Sequence, residues 1–150
     1  MSKILLCCIL LLAVLLPPAE RLDIATLRPV QTVAVARITE GVCIMTDTQD
    51  VGVGKDIRGA LENLKQTTPG VIYLDTADYL LIEDGAQEEA LGLKGMMADT
   101  VLVYRLLGSP DLLQVSEYLQ IHEGGLPIDS WEKDSKLPIL DGRSDRLKLQ

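Results

Sequence analysis

Between positions 75 and 89 the chain carries Asp75, Asp78, Glu83, Asp84, Glu88 and Glu89, its densest run of acids. Carboxylates so grouped can do two kinds of chemistry. A Ca²⁺ site needs several oxygens converging at about 2.3–2.6 Å on one ion, and the spacing here matches no EF-hand loop. General acid–base work needs two carboxyls whose pKa values are pushed apart by burial or by each other, and spacing alone does not show that convergence. The bland alternative is a solvated acidic rim around a strand and a helix start, with Glu88 and Glu89 favouring the positive end of their helix.

The other chemistry-bearing residues are fewer. Gly52-Val53-Gly54-Lys55-Asp56 precedes a helix, but Asp56 stands where a phosphate loop needs Ser or Thr for Mg²⁺. A flexible loop leading into a helix explains it. His122 is the single histidine and sits beside Glu123 at an expected helix end, where the helix dipole stabilises a cation. It has no second His or Cys with which to share a zinc ion. Ser109, Ser116 and Ser130 lack a nucleophile-elbow setting. Cys43 lies in the apolar run Val42–Met45 and reads as a buried, inert thiol. No catalytic, cofactor-binding or metal-binding set emerges. The remaining candidate is Trp131, which with Ile128 and Leu137 either forms a partner-binding segment, since aromatics anchor interfaces, or folds back over the core.

The elements that position these residues can be read from periodicity. Val30–Ala36 and Val42–Thr46 flank a short glycine-containing connection, the pattern of a β-hairpin. Asp47–Gly54 reads as loop. Ile57, Ala60, Leu61 and Leu64 form one stripe of a helix over 56–66, opened by Asp56 and stopped at Thr67-Thr68-Pro69-Gly70. Val71–Leu74 is a short strand, and Tyr79–Ile82 is another apolar run directly after Asp78. Gln87–Met97 is helix-compatible despite Gly92 and Gly95. Thr100–Leu107 is a buried strand. Ser109 and Pro110 are expected to open a helix that runs to about His122 and stops at Gly124-Gly125. Ser130–Gln150 reads as a polar, partly disordered tail with one short strand at Leu137–Leu140. Alternating strands and helices behind a hairpin predict an α/β (α+β) fold: a mixed sheet, an N-terminal β-hairpin and about three helices.

The N-terminus bounds where this fold works. Lys3 precedes the unbroken apolar run Ile4–Leu16 and then Pro17-Pro18-Ala19, the layout of a secretory signal. Thirteen apolar residues are too few for the roughly 20 that a membrane-spanning helix requires. Cleavage after Ala19 and retention as a short anchor both stay open. The expected organisation is 1–19 signal or anchor, 20–128 one α/β domain, and 129–150 tail. Without Lys3 the formal charge moves from −8 to about −9. Such a surface repels nucleic acid and anionic lipid heads, both of which demand Lys and Arg. The chain has no Phe, so its core is aliphatic, and a strong sugar-binding site is not expected.

Four stretches carry a family resemblance. They are Glu20-Arg21-Leu22-Asp23-Ile24; Val30–Ala36 with Val42–Asp47; Asp56–Leu64 with Val71-Ile72-Tyr73-Leu74 and Leu80-Leu81-Ile82-Glu83; and Ala90–Gly95 with Val101-Leu102-Val103-Tyr104. Together they resemble the N-terminal domain of the Ger(x)C-type spore germination proteins, lipoprotein subunits of germinant receptors in spore-forming Firmicutes. The departures are Ala19 near the place of that family's lipid-bearing Cys, no His between Asp75 and Asp78, and a length of about one domain. The resemblance implies an extracytoplasmic, membrane-associated, non-enzymatic module with protein partners and no cofactor. The alternative is a small secreted enzyme or solute-binding domain that uses the Asp75–Glu89 region.

Overall fold

The computed structural model describes residues 27–122, 124–144 and 146–150; the signal or anchor expectation for 1–19 lies outside them. The chain runs β1 (Leu27–Pro29), β2 (Thr32–Ile38), β3 (Gly41–Thr46), β4 (Val51–Gly54), α1 (Ile57–Thr67), β5 (Val71–Tyr73), β6 (Tyr79–Glu83), α2 (Gln87–Ala90), β7 (Leu102–Leu107), α3 (Leu112–Ile121), β8 (Leu126–Pro127), β9 (Ile139–Asp141) and β10 (Lys148–Leu149). The fold is α/β with a mixed sheet, ordered β10-β9-β7-β6-β2-β3-β4, with β8 beside the start of β7. Strands β2, β6, β7 and β9 are parallel, while β3, β4 and β10 extend the sheet antiparallel at its two ends. β1 and β5 pair parallel in a separate two-stranded sheet.

Side chains alternate across the sheet. Val33, Val35, Val42, Ile44, Leu80, Ile82 and Val103 point to the first face. They bury Ala60, Leu61 and Leu64 of α1, with Ala90 of α2 and Leu93 beyond it. Ala34, Leu81, Tyr104, Leu106 and Leu140 point to the second face and meet Val115 and Leu119 of α3. The expected hairpin is β2–β3, joined through a Thr39-Glu40 turn.

Four local expectations are corrected. The stretch read as loop contains β4, because Gly52 and Gly54 let α1 lie directly on the strand. A Cβ at Gly52 would stand 2.2 Å from the Ala60 carbonyl oxygen, and one at Gly54 2.1 Å from the Ala60 nitrogen. The helix expected over 87–97 ends at Ala90 and tightens into a 3₁₀ turn over Leu91–Leu93. There Gly92 is pressed on Ile57, whose Cγ2 would lie 2.5 Å from a Cβ. Asp111, not Ser109, caps α3, its carboxylate accepting from the Leu113 amide at 2.9 Å.

The fourth correction concerns the tail. Its described residues belong to the fold: β9 pairs parallel with β7, β10 pairs with β9, and the strand lies at Ile139–Asp141. Trp131 and Ile128 are fully buried and Leu137 nearly so, packed on the first face. The Lys94 ammonium fixes this crossing by donating to the Asp129 and Trp131 carbonyls at 3.0 and 2.8 Å.

Candidate functional site

Helix α3 is the one helix packed on the second face among the described residues, and it leaves part of that face open. Its stripe of Val115 and Leu119 lands on Ala34, Leu81, Tyr104 and Leu106, over the centre of the sheet. Beyond it the register lines up two rows. One runs Val51, Met45, Ala34, Leu81, Tyr104 and passes under the helix. The other runs Val53, Cys43, Ala36, then Glu83 one place past the Val35–Ile82 pair, then Leu106. In the outer part of these rows Val51 is 48% exposed and Val53 46%, and Ile38 at the end of β2 is 39% exposed. Gly52 and Gly54 give their side of β4 to α1, so both valines of the strand are left facing out. The result is an exposed pair of valines on β4 beside the buried, smaller Cys43 and Ala36, with Ile38 in the next row, across Gly41 from Lys55.

Glu83 is the acid in that second row. Burial pushes its carboxyl up, and the charge of Asp84 adds to the rise. Asp84 behaves oppositely: its hydrogen bonds from the Arg105 guanidinium, one of them Nη2 to Oδ2 at 2.8 Å, hold its carboxyl below the ordinary range. Both acids line a groove of about 270 Å³ with Leu106, Leu107, Gly108 and Ser109. The groove lies at the carboxyl ends of parallel strands β6 and β7, the end where open α/β sheets bind ligands. Gly108, at φ +88°, lets the backbone of Gly142 and Arg143 pack against this lining, since a Cβ there would meet the Arg143 nitrogen at 2.9 Å. Cys43 is buried, and burial followed by the Glu83 charge raises its thiol. It is therefore a poor nucleophile.

A second groove of about 280 Å³ lies on the other side of the α3 N-terminus, lined by Met45, Thr46, Asp47, Gln49, Val51, Asp111 and Leu112. Its rim is ordered by Asp47, whose carboxylate accepts from the Gln31 amide at 3.2 Å, and by Asp50, which pairs with Arg28 at 3.1 Å.

Of the six clustered acids, only Glu83 and Asp84 share that groove. Asp75 lines a different one, with Leu61, Lys65 and Met96. Asp78 is exposed, Glu88 pairs with Lys133 at 3.0 Å, and Glu89 pairs with Arg37 at 3.5 Å. Among the described residues no group of three or more His, Cys, Asp or Glu is placed to hold a metal ion. His122 caps the end of α3, its ring stacked on Tyr118 at 4.1 Å and its Nδ1 2.9 Å from the Tyr118 carbonyl. Asp56 caps α1, accepting from the Gly59 amide at 2.7 Å. Trp131, Ile128 and Leu137 are core residues, so the back-folded alternative describes them and they offer no surface to a partner. Sequence reasoning missed Ile38, Val51 and Val53; the signal that could have found them is the Val-Gly-Val-Gly alternation.

The chain matches no family model, no curated protein and no solved structure. Among the described residues no helix is long and apolar enough to cross a membrane.

Proposed function

We propose that this chain is a non-enzymatic binding or assembly module that docks a protein partner on the open part of its sheet. One observation carries the reading: Val51 and Val53 stand 48% and 46% exposed, with Ile38 diagonal to them at 39%, on the part of the sheet face that α3 leaves uncovered among the described residues. Exposed apolar side chains grouped on one face are a mark of interaction surfaces, whereas scattered single ones are ordinary. The place of action is the outer face of the cytoplasmic membrane, on the strength of Lys3 and the run Ile4–Leu16. The resemblance to the germinant-receptor subunits adds the spore envelope as the setting. A photo-crosslinking residue at position 53 in cells making the full chain tests the docking reading. An adduct formed from position 53, absent from position 58 on the opposite side and lost with V51T, supports it; no adduct from position 53 contradicts it. Intact mass and cell fractionation test the location, and full-mass protein in the cytosol would contradict it.

A second reading is favoured by the groove at Glu83 and Asp84. Two adjacent carboxyls shifted in opposite directions are the asymmetry that acid–base catalysis or binding of a small cation-bearing solute uses. Arg105 already engages Asp84, which leaves Glu83 as the one working group and ranks this reading second. Ligand-observed NMR against small amines and sugars tests it: signals lost in E83Q support it, and their absence ends it.

A further inference from the structure

Resting on the docking reading, we infer that the open strip takes one amphipathic helix of a partner protein, its apolar stripe on Ile38, Val51 and Val53 and its Lys or Arg residues flanking Glu83 and Asp111. Two observations of the sheet point to a helix. The strip spans β2, β3 and β4, two strand spacings or about 10 Å, which is the width of one helix. The neighbouring part of the same face is already covered in this way by α3. A helix there would complete the layer.

Addition of a strand to the outer edge of β4 is obstructed. The Val53 amide, which such a strand would need, already donates to Asn63 Oδ1 of α1 at 3.0 Å. The partner therefore meets the face and not the edge.

Charge selects the helix. The rim carries Glu40 in the β2–β3 turn, Glu83 and Asp84 at the end of β6, and Asp47 and Asp111 beside Met45 and Val51. Against them stand Lys55, across Gly41 from Ile38, Arg28, which is paired with Asp50, and Arg105, which reaches Asp84 from the other face. Arg37 points to the opposite face and pairs with Glu89. A second copy of this chain would bring the same acidic rim against itself, and like charges across an interface are strongly disfavoured. Lipid heads of negative charge are repelled for the same reason.

The test is binding of two synthetic helical peptides to the full-length chain, followed by fluorescence anisotropy. Both have the same Leu stripe; one is flanked by Lys, the other by Glu. The expected result is about tenfold tighter binding of the Lys-flanked peptide, and about tenfold weakening of that binding in V51T/V53T. The Thr substitutions keep β-branching and charge, so the double variant folds and any purely ionic attraction survives in it. Equal affinity of the two peptides, still lost in V51T/V53T, would overturn the charge-selected helix and leave the docking face standing. Binding of neither peptide, or binding untouched by V51T/V53T, overturns the inference. So does uptake of the chain by phosphatidylcholine vesicles through Val51 and Val53 without peptide binding, which assigns the strip to lipid. So does a dimer in sedimentation that V51T/V53T abolishes, which assigns it to a second copy.

Discussion

Glu83 sits where an apolar row meets the groove, and its raised carboxyl has a consequence for stability. The folded state holds the proton more tightly than the unfolded chain. The fold therefore loses stability as pH rises from the unfolded value through the folded one, and the cost persists at neutral pH. E83Q removes a charge that the fold disfavours. The expected outcome in thermal unfolding is a higher Tm than the parent at pH 7 and no gain below pH 4; a lower Tm at pH 7 would show that the ionised carboxylate is held by a stabilising contact. Asp141 behaves in the opposite sense. The Arg143 side chain, and then its backbone amide, hold the Asp141 carboxyl down at about 2 from an ordinary 3.8. Its contribution is therefore complete above 3.8 and is lost as pH falls toward about 2. R143A is expected to return the Asp141 midpoint toward 3.8, followed by carboxyl-carbon NMR. At this scale Asp56 was legible, because a carboxylate one place before an apolar stripe is a cap by position alone. The opposite shifts of Glu83 and Asp84 were not, because the first depends on burial in the folded sheet and the second on Arg105 of the neighbouring strand, 21 residues away in sequence from Asp84.

The glycines of β4 decide how closely α1 approaches the sheet. G52A places a Cβ 2.5 Å from the Leu64 Cβ and 2.2 Å from the Ala60 carbonyl oxygen, and neither backbone nor core can yield cheaply. The expected cost is about 1–3 kcal/mol in urea unfolding. G95A is the contrasting case: nothing lies within 4 Å of its new Cβ, and its φ is not positive. A gain of about 0.4–1 kcal/mol is expected there from a less flexible unfolded chain. Equal effects at the two positions would contradict the close approach of α1 to β4. The hairpin β2–β3 and helix α1 were readable from the sequence because their apolar spacing follows one period without interruption. β4 was hidden because its inward positions are glycines, which look like loop and act as space for a helix. The α2 region was overextended because its apolar residues suit a helix, while the press of Gly92 on Ile57 is a tertiary fact.

Across the whole molecule, the last quarter of the chain closes the core. Trp131, Ile128, Leu137 and Leu140 are isolated apolar residues in a polar stretch, and each is buried by a partner far away in sequence. No period joins them, which is why a tail was expected where the structure has a crossing and two strands. W131A is expected to cost about 3–5 kcal/mol in chemical unfolding, as a large cavity in the first-face core demands. An unchanged stability would return Trp131 to the surface as a partner anchor. The open strip follows from the same arithmetic of layers: among the described residues α3 covers only part of the second face, and Val51 and Val53 of β4 are left exposed. The measurement that meets this claim most directly is methyl-resolved NMR of the full-length chain titrated with the Lys-flanked helical peptide. The expected result is shift changes confined to Ile38, Met45, Val51 and Val53, with Val115 and Leu119 beneath α3 unmoved. Changes centred on another surface, or none at saturating peptide, would contradict a docking site on the open sheet face.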